Sequence, residues 1–223
     1  MIPRTRTTRG AGGVVILALA LALALGLAAC GGGSKHSTST PTTPTAAAAP
    51  LTPYLLKEGE GGFEVFSTPL PQPTVADWLT VSKSTSIDGQ RVKAEGFKAA
   101  LQQATATSTG GTGLDFVLEV GSAAAARAEE TAELKEDVIE QGHVHVTHFT
   151  VAGIPRSEGI AAAAGKRGSA ANVLFTVGRC LLLVGNGEVG SRYKAHVVSG
   201  AQALYRRTID AGGACTPAGP AQV

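Results

Sequence analysis

Aromatic side chains make up only 4% of the 223 residues, with a single tryptophan and a single methionine. A core of stacked rings is therefore excluded, and the interior must come from valine, leucine, isoleucine and many alanines. Alanine-rich helices pack closely and leave little room for a large internal ligand cavity. Cysteine is also rare, three in all with no Cys-x-x-Cys pair, which argues against a dithiol redox centre. The chain has no Gly-x-Ser-x-Gly elbow, so the strand-to-helix nucleophile of that hydrolase class is missing. Gly187-Glu188-Val189-Gly190 lacks the Lys-Ser/Thr pair that completes a phosphate loop. These absences weigh against an enzyme; neither a catalytic residue nor a cofactor is expected.

What the chain does have is one uncharged run, from Ala11 to Ala29, preceded by Arg4, Arg6 and Arg9 and closed by Leu27-Ala28-Ala29-Cys30. A basic start, an apolar middle and small residues before a cut form the layout of an export signal. The run is nearly as long as a bilayer-spanning helix, which needs about 20 apolar residues, so a plain membrane anchor is the alternative. The closing quartet decides between them, because it resembles the lipobox of bacterial lipoproteins at every position. That resemblance implies a diacylglycerol on the Cys30 sulfur, cleavage before Cys30, and attachment to the extracytoplasmic face of the cell membrane. With the leader go three of the 19 basic side chains, leaving 16 against 17 acidic ones. No electrostatic footprint for nucleic acid remains.

From Gly31 to about Pro53 the composition collapses to Gly, Ser, Thr, Ala and Pro, too polar and small to offset the entropy of ordering. The expected organisation is a signal over 1–29, a lipidated cysteine with a disordered linker over 30–53, and one domain over 54–223. The linker reads as a spacer, with an O-glycosylated stalk as the alternative. Once Cys30 carries lipid, Cys180 and Cys215 remain as a pair in an oxidising compartment and are expected to form a structural disulfide.

Within the domain, Phe63–Phe66 reads as a strand, and Pro69, Pro71 and Pro73 exclude regular structure until Thr74, a helix cap. A second helix spans Ile87–Glu95. Alternation at Phe97–Leu101 and Leu114–Val120 predicts two half-buried strands around a glycine-rich turn. The helix Ala123–Gln141 presents Ala124, Ala128, Leu134 and Val138 inward and Glu129, Glu130, Glu133 and Glu136 to water. A strand from His143 to Val151 precedes a mobile loop through Gly168. Val173–Val177 and Cys180–Val184 form a hairpin on Gly178-Arg179, and Ser191 caps a last helix ending near Arg207. Both Val120-Gly121-Ser122 and Val189-Gly190-Ser191 lie between a hairpin and a helix. The fold class is α+β: an antiparallel sheet flanked by helices, with a duplicated ββα unit suggested by this repeated order.

Gly61-Gly62-Phe63, Glu95-Gly96-Phe97, Val151-Ala152-Gly153-Ile154-Pro155 and the Phe175–Gly185 hairpin before a Tyr-Arg-Arg helix end resemble uncharacterised lipoproteins of high-GC bacteria. The resemblance spans most of 55–208 and implies a small sensor or accessory domain at the cell surface. More distantly, the chain resembles PsbP-like α/β/α sandwich lipoproteins at the level of fold.

His143 and His145 project from one face of their strand and can share a metal, with His148 on the other face and His196 or Glu140 as a third ligand. The bland alternative is that they form the strand's polar face. Arg206-Arg207 reads as a complement to the last helix's dipole, and Lys166-Arg167 as a partner contact on a loop. The function expected is a lipid-anchored extracytoplasmic domain with a non-catalytic binding or accessory role towards an envelope protein or glycan. The alternatives are a metal-binding lipoprotein using His143 and His145, and an envelope hydrolase.

Overall fold

A computed structural model of the chain describes residues 49–82, 86–140, 146–163, 168–188 and 192–216. Their centre is an eight-stranded antiparallel sheet in the order β1-β3-β4-β8-β7-β6-β5, with β2 also paired to β3. The strands are β1 (Phe63–Val65), β2 (Leu70–Gln72), β3 (Ala99–Thr107), β4 (Thr112–Glu119), β5 (Val146–Phe149), β6 (Glu158–Ala163), β7 (Ser169–Val177) and β8 (Cys180–Glu188). Helices α1 (Val75–Ser82), α2 (Ser86–Ala94) and α3 (Ala123–Glu140) lie on one face, and α4 (Tyr193–Ala211) lies on the other. The chain is thus α+β, in three layers.

Strand parity explains the layers. Alternate residues of a strand point to opposite faces, so Val117, Cys180, Leu182 and Val184 meet Val197, Ala201 and Leu204 of α4. Phe116, Leu118, Leu181 and Leu183 instead meet Trp78, Val92 and Ala126. Because both faces are covered, β8 is buried along its entire length. The β7–β8 connection has Gly178 at φ 56°, and Arg179 is not among the residues with positive φ. That pattern is the type II′ turn expected from the sequence.

Five expectations change. Thr74 does cap α1, its hydroxyl accepting the Asp77 N–H at 3.2 Å while Asp77 accepts the Thr74 N–H at 3.1 Å. The proline segment before it nevertheless forms β2, which pairs with Ala100–Gln102 on the outer edge of β3. An edge strand needs only half of its backbone groups, so Pro71 is tolerated there. Glu158–Ala163, expected within a mobile loop, is strand β6 between β5 and β7. Leu51, placed in the linker, is fully buried in the core beside Leu55 and Leu56. Helix α4 begins after Arg192 with no side-chain cap and runs on to Ala211; Ser191 lies outside the described residues.

The fifth concerns the repeat. Hairpin then helix does occur twice, β3–β4–α3 and β7–β8–α4. A rotation relating antiparallel neighbours β4 and β8 runs normal to the sheet and would leave both helices on one face. They lie on opposite faces, so the order recurs without the symmetry of a duplicated unit.

Candidate functional site

The α4 face changes character along its length. Near the middle it is aliphatic, and towards the β3–β4 turn it becomes polar, with Thr105, Thr107, Asn186 and Glu188 all at most 4% exposed. Register brings them together: Thr105 pairs with Gly113, and Gly113 pairs with Asn186. Strand β4 therefore contributes no side chain between them. A Cβ at Gly113 would lie 2.6 Å from Thr105 Oγ1, and one at Gly111 would lie 2.7 Å from both Thr107 Oγ1 and Asn186 Oδ1. These two glycines are needed for the close approach rather than for their backbone angles.

The polar groups bond mostly to one another. Thr107 Oγ1 accepts the Gly111 N–H at 3.0 Å and lies 3.0 Å from Thr109 Oγ1, which donates to Glu188 Oε2 at 2.9 Å. Asn186 Nδ2 reaches the same carboxylate oxygen at 3.4 Å. Asn186 Oδ1 and Thr105 Oγ1 are buried with no hydrogen-bond partner. Phe63 covers the inner end, its ring 3.3 Å from a Cβ at Gly113 and edge-on to the His196 ring at 6.3 Å between centroids. His196 Nδ1 faces the Gly61 carbonyl at 3.4 Å, while Nε2 is buried and unpartnered.

Further along the same face, Asp115 is fully buried and accepts the Leu56 N–H at 2.7 Å. Gln103 Nε2 donates to the Leu56 carbonyl at 2.6 Å and lies 3.4 Å from Asp115. Burial raises the Asp115 carboxyl to about 7, against the opposing pull of the Leu56 and Gln103 bonds and the Arg207 charge. Arg207 does not act as a dipole complement at a helix end. Its guanidinium bonds the carbonyls of Pro53 and Leu55 and grips both Glu60 oxygens, at 2.9 and 2.6 Å. Burial works upward on the Glu60 carboxyl, but the Arg207 bonds and charge, with the Lys57 N–H, hold it below its ordinary value.

The opposite face carries a second set of ionisable groups. Glu129 and Glu130, expected in water, are 0% and 7% exposed because α3 turns Ala126, Glu129 and Glu130 inward and leaves Ala124 and Ala128 outside. Arg91 of α2 compensates Glu129 with bonds of 2.8 and 3.0 Å and lies 3.8 Å from Glu133. Glu95 is raised to about 7, first by burial and then by hydrogen bonding and repulsion with Glu129. Glu130 is raised to about 7 by burial and by the Glu158 charge, with Arg127 and Arg156 opposing.

Of the residues singled out from sequence, Cys180 and Cys215 are brought together as a disulfide, both fully buried. Cys30, His143 and His145, with Lys166-Arg167 and Glu140's side chain, lie outside the described residues. His148 is exposed on β5. His196, offered as a third metal ligand, faces Gly61 and Phe63, whereas α4 meets β5 through Lys194 packed on the Phe149 ring at 4.0 Å. Side chains two apart on a helix diverge, so His196 is directed away from β5. Among the described residues no three His, Cys, Asp or Glu side chains form a metal-holding group, and no helix is long and apolar enough to cross a membrane.

The polar row was missed in the sequence, yet it leaves a trace. Gly185-Asn186-Gly187-Glu188 continues the aliphatic Leu181–Val184 with polar side chains at the inward parity, opposite Gly111-Thr112-Gly113.

No family model matches the chain, and no curated protein matches it. Among solved structures it is similar to the extracellular domain of PknH from Mycobacterium tuberculosis. The identity is 12%, the coverage 69% of this chain and 92% of that one, and the TM-score 0.45. A likeness at this level assigns no activity and no ligand.

Proposed function

We propose that the chain is a lipid-anchored extracytoplasmic domain with a non-catalytic binding or accessory role in the cell envelope. The observation that carries the reading is the Leu27-Ala28-Ala29-Cys30 quartet behind a basic start and an apolar run. The buried Cys180–Cys215 bridge supports it, since such bonds form and persist in oxidising compartments. With those two sulfurs joined, Cys30 is the one cysteine left for lipid. Two acyl chains give stable attachment, each buried methylene contributing about 0.8 kcal/mol. The polar row supports binding rather than catalysis, because its hydroxyls, amide and carboxylate bond to one another without a histidine or lysine to activate a nucleophile.

Globomycin treatment of expressing cells tests the anchor. The expected result is accumulation of the uncleaved precursor, with Cys30→Ser shifting the protein out of its lipidated mass. Unchanged processing and an unchanged mass in both experiments overturn the reading. Whole-cell crosslinking followed by mass spectrometry tests the binding role, with envelope proteins or glycans as the expected adducts.

A further inference from the structure

We infer that the polar row at the open end of the α4 face is a site for a hard divalent cation, of which calcium is the chemical type. This goes beyond the function proposed above and rests on side-chain geometry, not on the lipid anchor.

Glu188 is the starting point. Its carboxylate is 4% exposed, yet the groups bonded to it are neutral: the Thr109 hydroxyl at 2.9 Å and the Asn186 amide at 3.4 Å, both on Oε2. A buried carboxylate ordinarily has a cationic partner, because burying a charge is expensive unless it is compensated. The other carboxylates here follow that rule: Glu129 has Arg91, Glu60 has Arg207 and Glu119 has Arg179. Glu188 has none of these.

The second observation is independent. Asn186 is 2% exposed, and its Oδ1 has no hydrogen-bond partner. It is directed at the point beside Gly111 where Thr107 Oγ1 also converges, both atoms lying 2.7 Å from that point. A half-turn of the amide exchanges its oxygen and nitrogen without moving anything else, which brings an uncommitted carbonyl oxygen to the Glu188 side. Thr107 and Thr109 add two hydroxyl oxygens 3.0 Å apart.

Carboxylate, amide carbonyl and hydroxyl oxygens are the donor set of calcium, which takes several oxygens at about 2.3–2.6 Å in flexible geometry. Spacings of 2.9 to 3.4 Å between these oxygen and amide atoms suit one ion shared among them. Sulfur and imidazole donors, which would favour zinc or copper, are missing from the set. A site with one carboxylate binds weakly. Half-saturation is expected at about 0.1–1 mM, the range of extracellular calcium modules.

The test uses full-length protein in detergent, stripped with chelator and melted with and without 10 mM calcium chloride against potassium chloride of equal ionic strength. The expected result is a rise of roughly 3–5 °C with calcium alone, abolished in Glu188→Gln. No rise in the native protein, an equal rise with potassium, or a rise retained in Glu188→Gln overturns the proposal. Thr109 is exposed, so Thr109→Val keeps the fold and provides a second measurement. Its calcium isotherm by titration calorimetry should weaken about 3- to 10-fold, within the range of a lost hydrogen-bonding ligand; an isotherm equal to the native one also overturns the site.

Discussion

The α4 face of the sheet is closed by an apolar helix and by covalent and charged clasps at its rim, whereas the α3 face is closed by a helix that turns glutamates inward. On the first, Val197, Ala201 and Leu204 are fully buried, and the segment Leu51–Leu56 is tied down by Arg207, Asp115 and the Tyr54 hydroxyl. On the second, Ala126 is the fully buried apolar residue of α3, and Glu129 takes much of the remaining contact through Arg91. The difference shows that a helix poor in large side chains can still be held to a sheet if a neighbouring helix supplies the compensating charge.

Breaking the disulfide should have the largest effect. Cys180 and Cys215 are 35 residues apart, and the loop-entropy relation gives about 4 kcal/mol for that span. Urea unfolding of a Cys180→Ser/Cys215→Ser protein should show that loss; a change below about 1 kcal/mol would mean that the rim clasp contributes little to closing the α4 face.

Next come the helices themselves. Leu204→Ala removes a fully buried side chain and should destabilise by about 3 kcal/mol. Glu129→Gln should have a smaller effect, about 1–2 kcal/mol, because Arg91 retains 26% exposure and can turn to water. Equal losses in parallel denaturant titrations would remove the distinction between an apolar and an ionic closure.

The two faces also share a pH signature. Asp115 on one face, with Glu95 and Glu130 on the other, are all raised to about 7. A carboxyl whose folded value exceeds its unfolded one supports the fold fully below about 4 and loses that support as pH rises through about 7. Melting temperature should therefore fall between pH 5 and pH 8. Asp115→Asn and Glu95→Gln should each flatten part of the slope, and an unchanged slope in both would mean that neither group titrates in this range. Glu60 runs the other way: its lowered value gives support that is present at neutral pH and lost as pH falls below about 4. Arg207→Met should give the smallest loss, about 1 kcal/mol, since Arg207 and Glu60 both retain contact with water.

Local chemistry was readable where it decides the conformation by itself. The Thr74–Asp77 cap, the Gly178-Arg179 turn and the pairing of the last two cysteines all appear as expected. Strand β2 was hidden because prolines report what a backbone cannot donate, and only the position at an edge makes that harmless. Strand β6 was hidden because Glu158–Ala163 has no alternation to read, being rich in alanine.

The inward face of α3 shows the limit most clearly. An alanine-rich helix has almost no apolar moment, so its rotation is set by the partner that approaches it, here Arg91, and not by its own sequence. The residues alone determine an exported layout, an antiparallel α+β fold and the cysteine pair. Tertiary structure alone decides that β3 and β8 lay their polar side chains across the glycines of β4, because register is a property of three strands and no single segment records it.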